Sequence, residues 1–403
     1  MTESPETAVV GDLPLEGITV VSLEQAVAAP LATRHLADMG ARVIKIERLD
    51  GGDFARDYDD AVDGLASHFV WLNRSKESVA LDLKSPEGVA VLEKLVAGAD
   101  VFLQNLAPGA VARLGFGLED LLDRYPHLVI ANMSGYGGSG PYRDHRAYDM
   151  LVQAETGLIS ITGSPDAPAK TGVPNADLAA GMYTLSGVLS ALFRRQRTGK
   201  GAIVDVSMFD STIEWMGHPM YMTMYTGKEI PRMGLSHPAI VPYDVYPTKD
   251  GEVLIGVQNN RGWISLVTEV FNRPDLANDP EYATNIDRCR NRSTVNELMA
   301  SETGKFTSRG LLDALVEAGV PAAQLNQVKD MIDHPQLAER GRWTEVETVK
   351  GTIPALLPPI TFRDVAARMD PVPGLGANTS AVLAGFGYTE TEIDELRERG
   401  VVA

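Results

Sequence analysis

ITVVSLEQAVAAPLATRHLADMGARVIKIE, residues Ile18–Glu47, decides the fold. Its opening, Ile18–Leu23, is a short apolar run rich in β-branched side chains and reads as a buried strand. Ala29–Met39 places Leu31, His35, Leu36 and Met39 at helical spacing, and Gly40 stops the helix they predict. Val43–Glu47 reads as a second strand. Strand, helix and strand within about thirty residues make the βαβ unit of a parallel sheet.

Outward from this unit the rhythm continues. Val79–Leu83, Val101–Leu103, Leu128–Met133 and Ile203–Met208 read as further strands. Ser85 caps a helix that starts at Pro86 and runs to about Ala97. The longest helix spans about Leu178–Arg195, with Asp177 at its N-cap, arginines 194, 195 and 197 crowding its C-terminal end, and Gly199 beyond. Residues 1–14 read as a loose tail, and 1–211 as the N-terminal part of a Rossmann-like α/β large domain. The 212–250 segment, with Trp215 and five methionines between 216 and 233, reads as a linker. A smaller α+β domain follows over 251–339, opening with GEVLIGV. Residues 340–403 read as a Pro-rich linker and a return to the large domain, ending in a helix over about Thr389–Arg399.

The chain has 403 residues, about two to three domains' worth. Lysine and arginine number 36 against 54 aspartates and glutamates, a net charge of −18. Nucleic acid and anionic membrane both need a basic face, so neither is an expected partner. An anionic ligand needs a locally basic site. The single cysteine, Cys289, has no partner thiol and reads as inert. The opening MTESPETAVVGD lacks the regions of a signal peptide, and no apolar run approaches about 18 residues, so the expectation is a soluble cytoplasmic protein.

Gly135–Gly140 matches GxGxxG after a predicted strand, but the polar Pro141–His145 follows where a dinucleotide site needs a helix. It reads as a flexible loop that lets backbone approach a ligand. Arg197–Gly201 contains Gly-Lys without the P-loop spacing. The seven histidines show no metal-binding spacing, so no metal is expected, and no GxSxG elbow occurs. Asp177 has two readings, an ordinary helix cap or an ionised, partly desolvated nucleophile, and spacing does not choose between them.

Several stretches resemble the family III CoA-transferases, the group that includes formyl-CoA:oxalate and carnitine CoA-transferases. They include Leu15–Arg56, LNRSKESVALDLKSPEG (Leu72–Gly88), ADVFLQNLAPGAVARLGF (Ala99–Phe116) and SGYGGSGPY (Ser134–Tyr142). AYDMLVQAETGL (Ala147–Leu158), ADLAAGMYTLSGVLSAL (Ala176–Leu192), His237–Gly251 and Val320–Gln336 continue the match in the same order. The resemblance implies a large α/β domain and a small middle domain, with two chains threaded as an interlocked homodimer. It implies that Asp177 is the nucleophile, forming aspartyl anhydride and thioester intermediates. It also implies that Val27, Arg48, Leu81, Lys84, Asn105, Leu106, Arg113 and Arg146 line the coenzyme A site. The four cations among them would supply the basic patch for the phosphates. CoA thioesters are the implied substrates, with no prosthetic group.

Departures from the formyl-CoA members narrow the substrate. Val27 stands where they have Gln, and Leu106 and Leu114 where they have Phe and Met. No glycine-only loop occurs in the middle domain, and Gly137-Gly138 is the candidate shield for the intermediate. The α-methylacyl-CoA racemases of the same family are the alternative. They carry a histidine acid/base group where Tyr148 stands here, and a tyrosine titrating near 10 is poorly matched to that role. Asp149 would then orient Tyr148 or the backbone. A non-catalytic acyl-CoA-binding protein is a further alternative, against which Asp177 counts. GGDFARDYDD and SHFVWLNRSK resemble members that move CoA between dicarboxylates from succinyl-CoA, with mesaconate, itaconate or citramalate as fitting acceptors. Arg56, Arg74 and Arg143 are candidates for a second carboxylate.

Overall fold

The computed structural model describes residues 13–403, so most of the expected N-terminal tail lies outside the described residues. Strand β1 (Thr19–Leu23) leads into helix α1 (Ala28–Asp38) and back into β2 (Arg42–Glu47). Strands β3 (Lys76–Ala80), β4 (Val101–Gln104), β5 (Val129–Ser134) and β6 (Ala202–Ser207) complete a six-stranded sheet. Its order is β3-β2-β1-β4-β5-β6, and every pairing is parallel. Chain order runs outward from β1 in both directions, so the connections diverge between the carboxyl ends of β1 and β4. That is where open α/β sheets form a ligand crevice.

Alternation along the strands builds a core on each face. Val20, Val43, Val101 and Val129 point to the face covered by α1 and by α4 (Asn175–Thr198). Val21, Ile44, Phe102 and Ile130 point to the other, covered by α2 (Pro86–Ala97) and by C-terminal helices carrying Val382, Leu383, Ile393 and Leu396. Ser85 Oγ accepts from Gly88 N–H at 3.0 Å, so the predicted cap is present. The returning chain is stitched to β3, with Ser78 N–H donating to Asn378 Oδ1 at 3.0 Å.

Helix α4 differs from expectation. It begins at Asn175 and follows Pro174, so Asp177 is its third residue and not its N-cap. It is long and apolar enough to cross a membrane by length and composition, but Ala176, Ala180, Leu185 and Val188 pack into the sheet's core. A Cβ at Gly181 would lie 2.7 Å from the Ala28 carbonyl oxygen. Only glycine therefore lets α4 sit so close to the start of α1.

The chain divides into two compact units. One holds the described chain up to Leu158, Thr171–His218 and Glu339–Ala403; the other holds Ile159–Lys170 and Pro219–Ala338. Much of 212–250 is ordered. Met208–Trp215 and Gly217–Thr226 are helices, and Tyr243–Pro247 pairs antiparallel with Glu252–Gly256 in a three-stranded sheet of the second unit. A hairpin of Trp343–Thr348 and Gly351–Leu356 lies near the start of the 340–403 segment. The second unit's core gathers Trp263, Val267, Val295, Met299 and Leu311, with Cys289 at its margin.

Candidate active site

The turn from β1 to α1 is built on buried charge. Ala26 adopts a left-handed φ of 65°, which an L-residue holds only when its surroundings impose it. Asp53 Oδ1 accepts the Ala26 N–H at 3.1 Å, and Asp53 Oδ2 pairs with Lys45 Nζ at 2.7 Å. Glu24 accepts from Lys76 Nζ at 2.7 Å and from the Thr33 hydroxyl at 2.5 Å. Burial, working against the pull of Glu24, brings Lys76 down to about 8. Across the crevice, Asn105 Oδ1 accepts the Gln25 N–H and Asn105 Nδ2 donates to the Gln25 carbonyl, both at 2.9 Å. The carboxyl ends of β1 and β4 are thereby clamped together.

Asp177 stands beside this turn. Leu178 packs with Ala26, Val27, Leu31 and Leu72, which fixes the first turn of α4 against the start of α1. The Asp177 carboxylate has no hydrogen-bond or ion-pair partner among the described residues. Its position on the helix favours charge, by about 0.3–1 kcal/mol. Two larger effects oppose that. Burial, and then the charge of Asp149, push its pKa up to about 7. The effect expected of the helix amides, which lower a carboxylate's pKa, is therefore outweighed here. The nearby amide is engaged elsewhere, since Ala176 N–H donates to Asp149 Oδ1 at 2.8 Å. Asp149 opens helix α3 (Asp149–Glu155), and Tyr148, its exposed N-cap, is backbone-extended.

The remaining expected residues follow the carboxyl ends of successive strands. Arg48 follows β2, Leu81 and Lys84 follow β3, and Asn105, Leu106 and Arg113 follow β4. Gly137, Gly138, Arg146, Tyr148 and Asp149 follow β5. Their side chains are not equally available. Val27 and Leu81 are buried, which leaves their side chains little surface for a ligand. Leu106 is partly buried, and the Asn105 side chain is committed to Gln25. Arg48, Lys84, Arg113 and Arg146 are exposed, and none is in an ion pair among the described residues. Arg48 and Arg113 reach only backbone carbonyls, of Gly52 and Pro108. Gly138 is exposed with open space where a Cβ would be, and Gly137 has a φ of 91°.

Of the three arginines considered for a second carboxylate, two are already paired. Arg56 grips Glu47 at 2.9 and 2.8 Å, and Arg74 grips Asp38 at 2.8 and 2.9 Å. Arg143 is solvent-facing and bonds to the exposed Asp144. An open groove of about 800 Å³ in the second unit, lined by Arg309, Asp313, Asp330 and His334 among others, contains none of these residues. Among the described residues no three His, Cys, Asp or Glu side chains form a metal-binding group.

Sequence reasoning passed over Asp53, Tyr58 and Gln153. Asp53 and Tyr58 lie in GGDFARDYDD, and Gln153 stands four residues after Asp149, one helical turn away. Tyr58 is pushed up to about 12 by burial and by Asp53, Asp177 and Tyr148, which places its hydroxyl within electrostatic reach of Asp177.

The pattern of the family described as CoA-transferase family III matches residues 15–379. A succinate–glutarate CoA-transferase of Agrobacterium fabrum is 36% identical, over 92% of this chain and 95% of its own length. A succinyl-CoA–D-citramalate CoA-transferase of Chloroflexus aurantiacus is 30% identical, over 96% of this chain and 98% of its own. The crystal structure of a CaiB/BaiF family protein from Brucella suis superposes with a TM-score of 0.80 at 33% identity, covering 93% of this chain and all of that one.

The raised pKa has a consequence for stability. Unfolded, Asp177 ionises near 3.8; folded, it ionises near 7. Above pH 4 the unfolded chain releases the proton first, so this group destabilises the fold increasingly up to about pH 7 and evenly beyond. Asp177→Asn should therefore raise denaturant stability at pH 8, by a few kcal/mol at most, and leave it unchanged near pH 3.5. An equal effect at both pH values would show that the carboxylate is not held in this way.

Proposed function

The chain belongs to CoA-transferase family III, and we propose that it moves CoA from succinyl-CoA to a C4–C5 dicarboxylate with Asp177 as the nucleophile. The observation that carries this reading is an unbonded, desolvated carboxylate beside the crevice, with four unpaired cations following the carboxyl ends of the strands. Relatives named for succinate, glutarate and citramalate support the substrate class.

In the proposed reaction, an ionised Asp177 oxygen attacks the thioester carbon of succinyl-CoA. The C–S bond breaks, CoA leaves as thiolate, and a mixed anhydride joins Asp177 to succinate. The thiolate attacks the aspartyl carbon, expels succinate and leaves Asp177 as a CoA thioester. A carboxylate oxygen of the acceptor acid attacks that carbon and releases the thiolate again. The thiolate then takes the acceptor's acyl group, and Asp177 regains its carboxylate. Charge passes between carboxylate and thiolate throughout, so the cycle needs no net proton. Each activated acyl replaces another, so no ATP is hydrolysed.

The chain's own groups divide the work. Arg48, Lys84, Arg113 and Arg146 receive the phosphates, which brings a polyanion to a protein of charge −18. The partly buried Leu106 offers apolar contact to the pantetheine arm, and Gly137-Gly138 can close over the acyl group. An apolar set in the same unit, Tyr148, Met150, Leu151, Phe193 and Trp215, is exposed in the single chain. A second copy covering it, in an interlocked homodimer, is part of this proposal.

With succinyl-CoA and no acceptor, the wild-type enzyme should accumulate an adduct at Asp177, seen as a hydroxamate after hydroxylamine and located by peptide mass spectrometry. Asp177→Ala should form none and lose roughly three orders of magnitude or more in kcat while still binding CoA esters. Near-normal turnover in that variant, or solvent deuterium entering a 2-methylacyl-CoA without an adduct, would exclude the aspartyl route.

Arg113→Ala and Lys84→Ala remove contacts to a part of CoA that does not react. Each should raise KM for succinyl-CoA roughly ten-fold and change kcat less. Unchanged KM in both would place the phosphates elsewhere.

Mixing tagged and untagged preparations should yield no mixed dimers in native buffer and yield them after unfolding and refolding. Rapid exchange in native buffer would rule out interlocking.

A further inference from the structure

We propose that Gln153 is a positioning residue of the transfer reaction, holding Asp149 where that carboxylate both closes the first turn of α4 and confronts Asp177. The inference rests on the reading of Asp177 as nucleophile.

Gln153 is completely buried on α3, one turn after Asp149. Its Oε1 accepts the Thr171 N–H at 3.1 Å, and its Nε2 donates to Asp149 Oδ2 at 2.7 Å. The orientation of the amide is dictated by its partners. A backbone N–H can only donate, so the oxygen must face Thr171 and the NH₂ must face Asp149. Asp149 Oδ1 accepts the Ala176 N–H at 2.8 Å, so both Asp149 oxygens are acceptors of fixed N–H donors. The buried amide of Gln153 thus joins the start of α3 to the segment that leads to α4, and Asp149 in turn bonds the residue before Asp177.

Two carboxylates face each other here under unequal conditions. Asp149 receives two N–H donors; Asp177 receives none among the described residues and is pushed upward by burial and by Asp149. Only one member of the pair is stabilised by donors, and the repulsion falls on the unbonded Asp177. That arrangement suits a nucleophile. Attack turns Asp177 into a neutral acyl derivative and passes its charge to sulfur, so repulsion from Asp149 is relieved along the reaction coordinate.

Other charged and titratable groups on the elements around α4 do not replace Gln153 in this role. Tyr148 precedes α3 as its N-cap and Tyr58 follows β2, and both lie within reach of this site. Arg34, His35 and Asp38 of α1 bond among themselves. Asp205 of β6 takes Asn132, and Asp210 takes Ser207. Glu155 acts on Tyr136, and Glu214 is exposed to solvent.

The test is the pH dependence of kcat with succinyl-CoA and glutarate for wild type, Gln153→Met, Asp149→Asn and the double variant, with circular dichroism confirming the fold. Gln153→Met keeps the length of the side chain and removes the donor. Its acid limb should move down by up to about one pH unit, because a released Asp149 repels Asp177 less. Its plateau kcat should fall roughly ten-fold with KM for succinyl-CoA little changed. Asp149→Asn should move the limb at least as far, and the double variant no further than Asp149→Asn alone. A limb that stays in place in Asp149→Asn, or shifts that add in the double variant, would overturn the proposal, and the first holds even if Gln153→Met fails to fold. An adduct trapped at Asp177 in every variant alongside an unmoved limb would reject the role of Gln153 alone. Absence of any adduct in wild type would instead reject the nucleophile on which it rests.

Discussion

The architecture of the crevice depends on a set of charges held largely away from water. Glu24, Lys45 and Asp53 are buried beneath the β1–α1 turn, with Lys76, Glu47 and Arg56 extending the set to three acids and three bases. Such a network gives little net stability over an apolar core, but removing one member strands the others and costs about 3–5 kcal/mol. What it secures is geometry. Asp53 spends one oxygen on Lys45 and the other on the amides of Ala26 and Ala55, and so fixes a left-handed residue immediately before Val27.

From that turn the rest of the site is reached by packing. Val27 and Leu31 receive Leu178, and the missing side chain of Gly181 lets α4 meet the start of α1. Asp177 is thus positioned by neighbours on either side of it in its own helix and, among the described residues, by no bond of its own. Its electrostatics follow from the same placement. A helix N-terminus offers an anion less than burial beside another carboxylate takes away, so Asp177 ionises near neutrality.

The acidic surface and the anionic substrate are reconciled by local arrangement. Most cations with a nearby acid are paired, as Arg34, Arg74 and Arg195 are. Among the described residues Arg48, Lys84, Arg113 and Arg146 are not, and a parallel sheet brings the loops that carry them to one edge although they span nearly a hundred residues of sequence.

Much of this was legible in the amino-acid sequence. The βαβ opening, the parallel sheet and the cap at Ser85 rest on periodicity and local chemistry, which act over a few residues. The ordered motifs pointed to the family and to Asp177, and the −18 charge required a local basic patch. Local signals also misled. An acid before an apolar run looks like a cap, yet Asp149, 28 positions away, takes the helix amide and Asp177 is left without a partner among the described residues. Arg56 and Arg74 looked available for substrate until Glu47 and Asp38 were brought against them. Periodicity reports which side of an element is buried. Which charges share a low-dielectric space, and so which carboxylate is bonded and which is left free to react, depends on contacts between distant segments and is decided only when the chain is folded.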